Sequence, residues 1–257
     1  MAGYHSRSIY TYNDTYLKTT GEYFTNFIET SIFGYFNFSN NSALFIGGNI
    51  DFFAIKSEVS AIPIDKLGFT YYRGFVKFTN DTYDNRYFPT KGKFFDFEVD
   101  YVKPDLQEPL MFYKLHMSTV IKTTKKLAFI PSVFVGGSVN GLTRTGYFYV
   151  IGGSNESNYE NFIKMPGLPY TSVIDNNFGA VYLDFRYELF PKNFLFLRTS
   201  VGANSTYFEK LLVNSQLLYS GTFGYSIQSP IGPIGIQIGT SNLDKELGVY
   251  FNIGVDL

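Results

Sequence analysis

Residues 94–101 read FFDFEVDY. From residue 95 on, apolar side chains hold every odd position (Phe95, Phe97, Val99, Tyr101), and acids hold every even one (Asp96, Glu98, Asp100). Successive side chains of a strand point to opposite faces, so this is a ribbon that is greasy on one side and ionised on the other. The same period governs most of the chain. Twelve such segments can be counted, at 4–16, 22–38, 43–57, 66–82, 92–103, 110–122, 125–137, 176–189, 193–206, 214–228, 232–241 and 246–257. In 178–189, Asp184, Arg186 and Glu188 share one face, while Val181, Leu183, Phe185, Tyr187 and Leu189 share the other. Segment 22–38 is ambiguous, because both of its faces carry aromatic and polar residues.

Strands of soluble proteins average about 5–6 residues, whereas a tilted strand that crosses a bilayer needs about 9–11. The segments here match the second figure. Their connections alternate in character. SNNS (39–42), FPTKG (88–92), KTTKK (122–126), FPKN (190–193) and SPIGP (229–233) are short, while 57–65, 103–109 and 206–214 are longer. Short turns at one end and longer loops at the other suit an up-and-down outer-membrane barrel. The expected fold is therefore all-β: a closed antiparallel transmembrane β-barrel of twelve strands, forming one domain over 1–257. Fourteen strands is the alternative, with two drawn from the long connection 138–175. A soluble sandwich or ligand-binding barrel with its apolar face inward is the remaining alternative.

In such a barrel the apolar face of 94–101 meets lipid and its acids face the lumen. A charge turned to mid-bilayer lipid costs up to about 2–4 kcal/mol, and three together would rival a domain's entire stability of about 5–15 kcal/mol. Arg73, Lys77, Lys114, Arg186 and Arg198 fall on the polar parity of their segments and can partner the lumen acids. The expected lumen charge cluster is Asp96, Glu98, Asp100, Asp184, Arg186, Glu188 and Arg198. The connection 138–175 is too apolar to stand in water, with Tyr147, Phe148, Tyr149, Ile151, Phe162, Met165, Leu168 and Tyr170. Loops beyond about 12–15 residues are usually functional or disordered. This one is expected to fold into the lumen, with Lys164, Pro166, Gly167 and Leu168 in the plug; the alternative is an extracellular cap or a strand extension.

Composition removes several function classes. The net charge is −1 with no block of like charge, which gives no footprint for nucleic acid. There is no cysteine, hence no disulfide framework and no thiolate metal site. Only 17% of residues are charged, against about 25% in soluble domains. The chain has 28 phenylalanines and 22 tyrosines, the material of an interfacial girdle, but no tryptophan. No apolar run is long enough for a transmembrane helix, and the N-terminal residues lack the apolar core of a signal peptide. The two histidines, His5 and His116, are too few for a histidine metal cluster. No Gly-x-Ser-x-Gly elbow occurs. The chain reads as non-enzymatic, with no cofactor.

FTNDTYDNRYFPTKGKFFDFEVDY (78–101) resembles the strand, FPT-x-G turn and strand of the outer-membrane assembly and translocation barrels, the bacterial surface antigen family. YFYVIGG (147–153) followed by PGLPY (166–170) resembles the inward-folding loop of that family, and YSIQSPIGPIGIQIG (225–239) its penultimate hairpin. NIGVDL (252–257) resembles its terminal sorting signal, carried by Asn252, Gly254, Val255 and Leu257. The short or patatin-linked branch is the nearer one, since its loop tends to read GLP. The resemblance implies a barrel of sixteen strands, with four upstream of Met1 or missing in a short version. It implies protein or lipid translocation or insertion. The alternative role is that of a non-transporting anchor or delivery barrel for an absent patatin-like domain. The implied partners are outer-membrane lipids and lipopolysaccharide, the barrel assembly machinery during insertion, and a second copy in a homo-oligomer. In assembly members an Arg-Gly-Phe tip pairs with a lumen aspartate. Here the tip reads KMPGLP (164–169), and Ser200 takes the aspartate's place. No Asp-Gly pair of a patatin dyad is present.

A membrane barrel predicts heat-modifiable mobility. Folded protein in mild detergent should migrate differently before and after boiling. Solubility without detergent, with one mobility in both lanes, would contradict the membrane assignment.

Overall fold

The computed structural model describes residues 2–12, 19–60, 67–105, 108–139, 148–153, 161–169, 172–213 and 215–254. Twelve long strands form one antiparallel sheet in the order of the chain. They are β1 (Ala2–Tyr12), β2 (Thr19–Ser39), β3 (Ser42–Ser60), β4 (Leu67–Asp81), β5 (Lys93–Pro104), β6 (Leu110–Thr119), β8 (Leu127–Ser138), β12 (Asn177–Phe190), β13 (Asn193–Ser205), β14 (Gln216–Ser229), β15 (Gly232–Ser241) and β16 (Gly248–Ile253). The two-residue β7 (Ile121–Lys122) pairs with the start of β8. Among its described residues the connection 138–175 adds no strand to this sheet. Its short strands β9 (Tyr149–Ile151), β10 (Phe162–Ile163) and β11 (Val173–Asp175) pair among themselves in the order β10-β9-β11. Among the described residues the path of pairings has two ends, β1 and β16. Both the start of β1 and the end of β16 lie at the end of the sheet that carries the short turns.

The pleat sorts the side chains as the sequence pattern requires. On β5, Glu98, Asp100 and Val102 are buried, while Phe97 and Tyr101 are exposed. On β12, Phe178, Ala180 and Arg186 are buried, while Val181, Phe185 and Tyr187 are exposed. Pairing settles the ambiguous β2. Glu29 stands opposite Asp51 and Ser31 opposite Asn49, both buried partners, so the odd residues face inward. The even ones, such as Ile32 at 83% exposure, face out. The outward face is thus an apolar wall, with Phe223, Ile238, Val249 and Phe251 all exposed. The core lies on the other face, hereafter the inner face. There Tyr149, Ile151, Ile163, Met165 and Leu168 pack against Phe112, Phe134, Phe178 and Leu218 of the strands.

Candidate functional site

The inner face carries three groups of residues in sequence along the strands. The first is the charge cluster around β5. Register places Glu98 between Lys77 on β4 and Lys114 on β6. Lys77 Nζ lies 3.2 Å from Asp96 and 3.8 Å from Glu98, and Lys114 Nζ lies 3.4 Å from Glu98 and 4.0 Å from Asp100. Arg73 bonds Glu98 and reaches Asp100 at 3.1 Å through Nε, with its guanidinium 5.0 Å from the centre of the Phe75 ring. Three acids therefore meet three bases. Removing one partner from a buried pair costs about 3–5 kcal/mol, so this wall is rigid in composition as well as in geometry.

The second group is formed by residues 148–153 and 161–169, laid against the inner face from the loop end. Tyr149 Oη donates to the Tyr113 carbonyl at 2.9 Å, and the small sheet β10-β9-β11 holds the segment's own backbone. Its tip is built on glycine. Gly167 has φ 97°, and a Cβ there would stand 2.8 Å from the Thr240 carbonyl and 3.1 Å from that of Gly221. The tip is tied to the wall by hydroxyls. Ser220 Oγ donates to the Pro166 carbonyl at 2.6 Å, and Ser200 Oγ lies 2.6 Å from Ser220 Oγ. Ser200 is thus the far end of a neutral hydrogen-bond chain. Leu168 is fully buried, and Lys164 and Pro166 are half-buried.

The third group was not legible as such. FPTKG (88–92) reads as a short turn, but the whole connection 82–92 between β4 and β5 folds over the inner face at the turn end. Phe88 is buried and stacks on Phe194 with ring centres 4.3 Å apart. Arg186 donates to the Pro89 carbonyl and lies over both rings, at 5.7 Å from Phe88 and 5.5 Å from Phe194. Arg186 thus holds this connection in place, whereas parity alone had pointed it at the acids. Arg198 does pair with Asp184, Nε to Oδ2 at 3.0 Å. Glu188 caps the next turn, accepting from the Lys192 amide at 3.2 Å. Asp84 organises the connection by accepting from the Thr90 amide (2.7 Å), the Thr90 hydroxyl (2.6 Å) and the Lys91 amide (3.2 Å). Asn85 Oδ1 accepts from the Tyr87 and Phe88 amides, both at 2.9 Å.

Between the two inward segments lies a chamber of about 400 Å³. Phe88 and Pro89 bound it at the turn end, Lys164 and Pro166 at the loop end, and Asp184, Arg186, Arg198 and His116 at the sides. Gln237, Tyr250 and Asn252 of the last two strands complete its wall. Asn252 also pairs with Gly235. Gly254 has φ 99°, and its amide donates to the Pro233 carbonyl at 3.0 Å. Val255 and Leu257 lie outside the described residues, as do Tyr147 and Tyr170 of the long connection.

Two consequences can be measured. Burial opposes ionisation of Asp84, but the bonds from Thr90 and Lys91 outweigh it and hold its carboxyl below the usual range. A carboxyl depressed in the folded state stabilises that state above its unfolded pKa, about 3.9 for Asp. The contribution is lost as the pH falls through the lower folded value. The Thr90 amide resonance should therefore stay fixed through the ordinary carboxylate range and shift only below it, and Asp84→Asn should abolish the transition. Gly167→Val forces a branched side chain into a left-handed backbone position, at about 1–3 kcal/mol before the contact with Thr240 is counted. It should displace the tip and expose Lys164 to trypsin in reconstituted protein, while the parent chain stays uncut there. Equal cutting of both would contradict the packing described.

Solved barrels share this architecture. BamA from Haemophilus ducreyi lacking POTRA domains 1–3 superposes with a TM-score of 0.66 at 13% identity, over 91% of this chain and 54% of that one. CdiB from Acinetobacter baumannii gives 0.62 at 13% identity, over 90% and 42%. CdiB from Escherichia coli gives 0.60 at 12% identity, over 97% and 49%. The chain spans about half the length of the structures it matches, and at these identities the likeness is one of fold. No curated protein matches the sequence. Residues 28–256 match the profile of the OMP85 superfamily. With its apolar outer wall, charged inner face and inward-folded segment, the chain belongs to the OMP85 superfamily and is a protein of the bacterial outer membrane.

Proposed function

We propose that this chain is a closed barrel of twelve strands, one domain over 1–257, that inserts or translocates a polypeptide or lipid substrate at the edge where β1 meets β16. Closure follows from the membrane setting, because edge N–H and C=O groups left in hydrocarbon cost several kcal/mol each. The observation that carries the edge reading is the double filling of the interior. The connection 82–92 covers the turn end, and residues 148–153 and 161–169 cover the loop end, with a chamber of about 400 Å³ between them. In this reading Lys164, Pro166, Gly167 and Leu168 are the plug, and twelve strands around a plug offer no porin-like channel. The β16 side of the edge is also slight. Among the described residues β16 pairs over Gly248–Ile253, with Gly248 and Gly254 thinning its side-chain packing, and a loose edge strand can accept an incoming strand by β-augmentation.

The partners in this reading are outer-membrane lipids and lipopolysaccharide. During insertion the barrel assembly machinery reads the terminal signal at Asn252, Gly254, Val255 and Leu257. A second copy can pair through the barrel wall. No catalytic chemistry is assigned to the chain. The rival reading is a plain anchor or delivery barrel for a patatin-like domain, and the dense filling of the interior suits it as well.

One experiment separates the two. The chain has no cysteine of its own, so a pair placed on facing positions of β1 and β16 locks that edge alone. Insertion or translocation in cells should fall to background when the edge is quantitatively locked and return on reduction. Full activity with the edge locked would leave the anchor.

A further inference from the structure

The connection between β13 and β14 does something that neither the plug nor the edge explains. Its residues 206–213 do not stand above the rim; they fold back over the outward face of the sheet. A Cβ added at Gly179 would stand 3.5 Å from Leu211 Cδ2 and 4.0 Å from Val135 Cγ2. Gly179 and Val135 face each other in register and share the outward parity of Val181, Phe185 and Tyr187. Leu211, although in a loop, is only 6% exposed. Phe208 reaches further round the wall and meets Tyr113 edge-on with ring centres 5.7 Å apart. Tyr113 has the outward parity of Met111 and Met117, both exposed. Asn177 fixes the start of the flap, donating to the carbonyls of Ser205 and Thr206, both at 3.1 Å.

The flap crosses the wall where the wall is thinnest and still apolar. The row Val135, Gly179, Ala203, Leu217 runs straight across four strands. Glycine and alanine at its centre leave a shallow depression that Leu211 fills. Leu217 in this row is 56% exposed, and Val201 and Tyr219 in the neighbouring outward row are each 54% exposed, so the apolar belt reaches the level of the flap. Anchored there, the flap turns Leu212 and Val213 outward at 94% and 85% exposure. Glu209 and Lys210 sit beside them, and the Lys210 ammonium lies 4.7 Å from the centre of the Tyr207 ring. Apolar side chains beside a charged pair and two aromatic rings form the composition of an interfacial membrane segment.

We propose that residues 207–213 are a lipid-inserting flap, which presses Leu212 and Val213 into the acyl chains of the leaflet at the loop end. The occupant is lipid, because the flap is continuous with the outward apolar wall. The inference rests on the membrane reading of that wall. It also makes the barrel asymmetric in the bilayer plane, since the flap overlies β6, β8 and β12 and leaves the β1 and β16 edges clear.

The chain contains no tryptophan, so one introduced residue reports alone. Leu212→Trp and, as a control on the outward face of β14, Phe223→Trp would each be reconstituted in phosphatidylcholine vesicles brominated at shallow or at deep acyl carbons. An interfacial segment buries its apolar face about 5–10 Å deep, so shallow bromines should lower the Leu212→Trp emission about twofold and deep ones less. Phe223→Trp should respond more to the deep bromines. Leu212→Trp left unquenched beside a quenched control overturns the flap and leaves the membrane reading standing. This holds whether its emission is that of water or is blue-shifted under a protein cover. An unquenched control overturns both.

Discussion

A strand that carries three acids on one face can cross hydrocarbon only if that face never meets it, and this constraint orders the rest of the molecule. The pleat meets half of it by turning Phe97 and Tyr101 out and Asp96, Glu98 and Asp100 in. Neighbouring strands meet the other half. Arg73, Lys77 and Lys114 arrive in register, so each of these three acids meets a base. Desolvating such a group without a partner would cost several kcal/mol. The strand order and register are therefore specified by charge as strongly as by the apolar stripe, because a slip of β5 by one residue would turn its three acids outward and leave the three bases without partners.

Filling follows from the same constraint. In the closed barrel proposed above, the interior of so small a barrel would be filled by side chains. Here the strands supply charge at the middle, and the chain supplies apolar matter from both ends. Tyr149, Met165 and Leu168 close the loop end against Phe134, Phe178 and Leu218. Phe88, stacked on Phe194 under Arg186, closes the turn end. The polar chamber is what remains where neither segment reaches.

Much of this was legible in period-two patterning. The twelve long strands fall within a few residues of the twelve segments, and the apolar content of 138–175 foretold burial for Tyr149, Ile151, Met165 and Leu168. The places where reading stopped share a cause: the contact that decides them lies far away in sequence. FPTKG has the residues of a tight turn, and nothing local says that Phe88 meets Phe194 or that Arg186 takes the Pro89 carbonyl. Nothing in the sequence says that Ser200 and Ser220 meet and tie the Pro166 carbonyl to the wall, since each serine lacks a signal of its own. Segment 22–38 stayed ambiguous because parity on a strand with aromatics on both faces is fixed only by its partners, Asn49 and Asp51. The flap was invisible for the same reason. TYFEKLLVNS (206–215) has a loop's composition, and only Gly179 and Ala203, a row of small residues on other strands, give Leu211 somewhere to lie.

The tip at 164–169 and the last strands are not independent parts. Pro166 is held by Ser220 of β14, and Gly167 lies against the carbonyls of Gly221 on β14 and Thr240 on β15. A Cβ at Gly239 would stand 3.2 Å from Gly167 Cα. With glycine on both sides, backbone meets backbone, and no side chain is present to absorb a displacement by changing rotamer. Tyr250 of β16 borders the chamber at the same level. The tip is therefore packed directly on the β14–β15 pair, where a parting of those strands would remove its contacts. The hydroxyl chain from Ser200 through Ser220 to the Pro166 carbonyl is the part able to yield. Its neutral bonds are worth about 0.5–1.5 kcal/mol each, against the several kcal/mol of a broken buried ion pair. A tip fastened in this way can be released at small cost when the edge moves, whereas a tip held by a buried arginine and aspartate would resist.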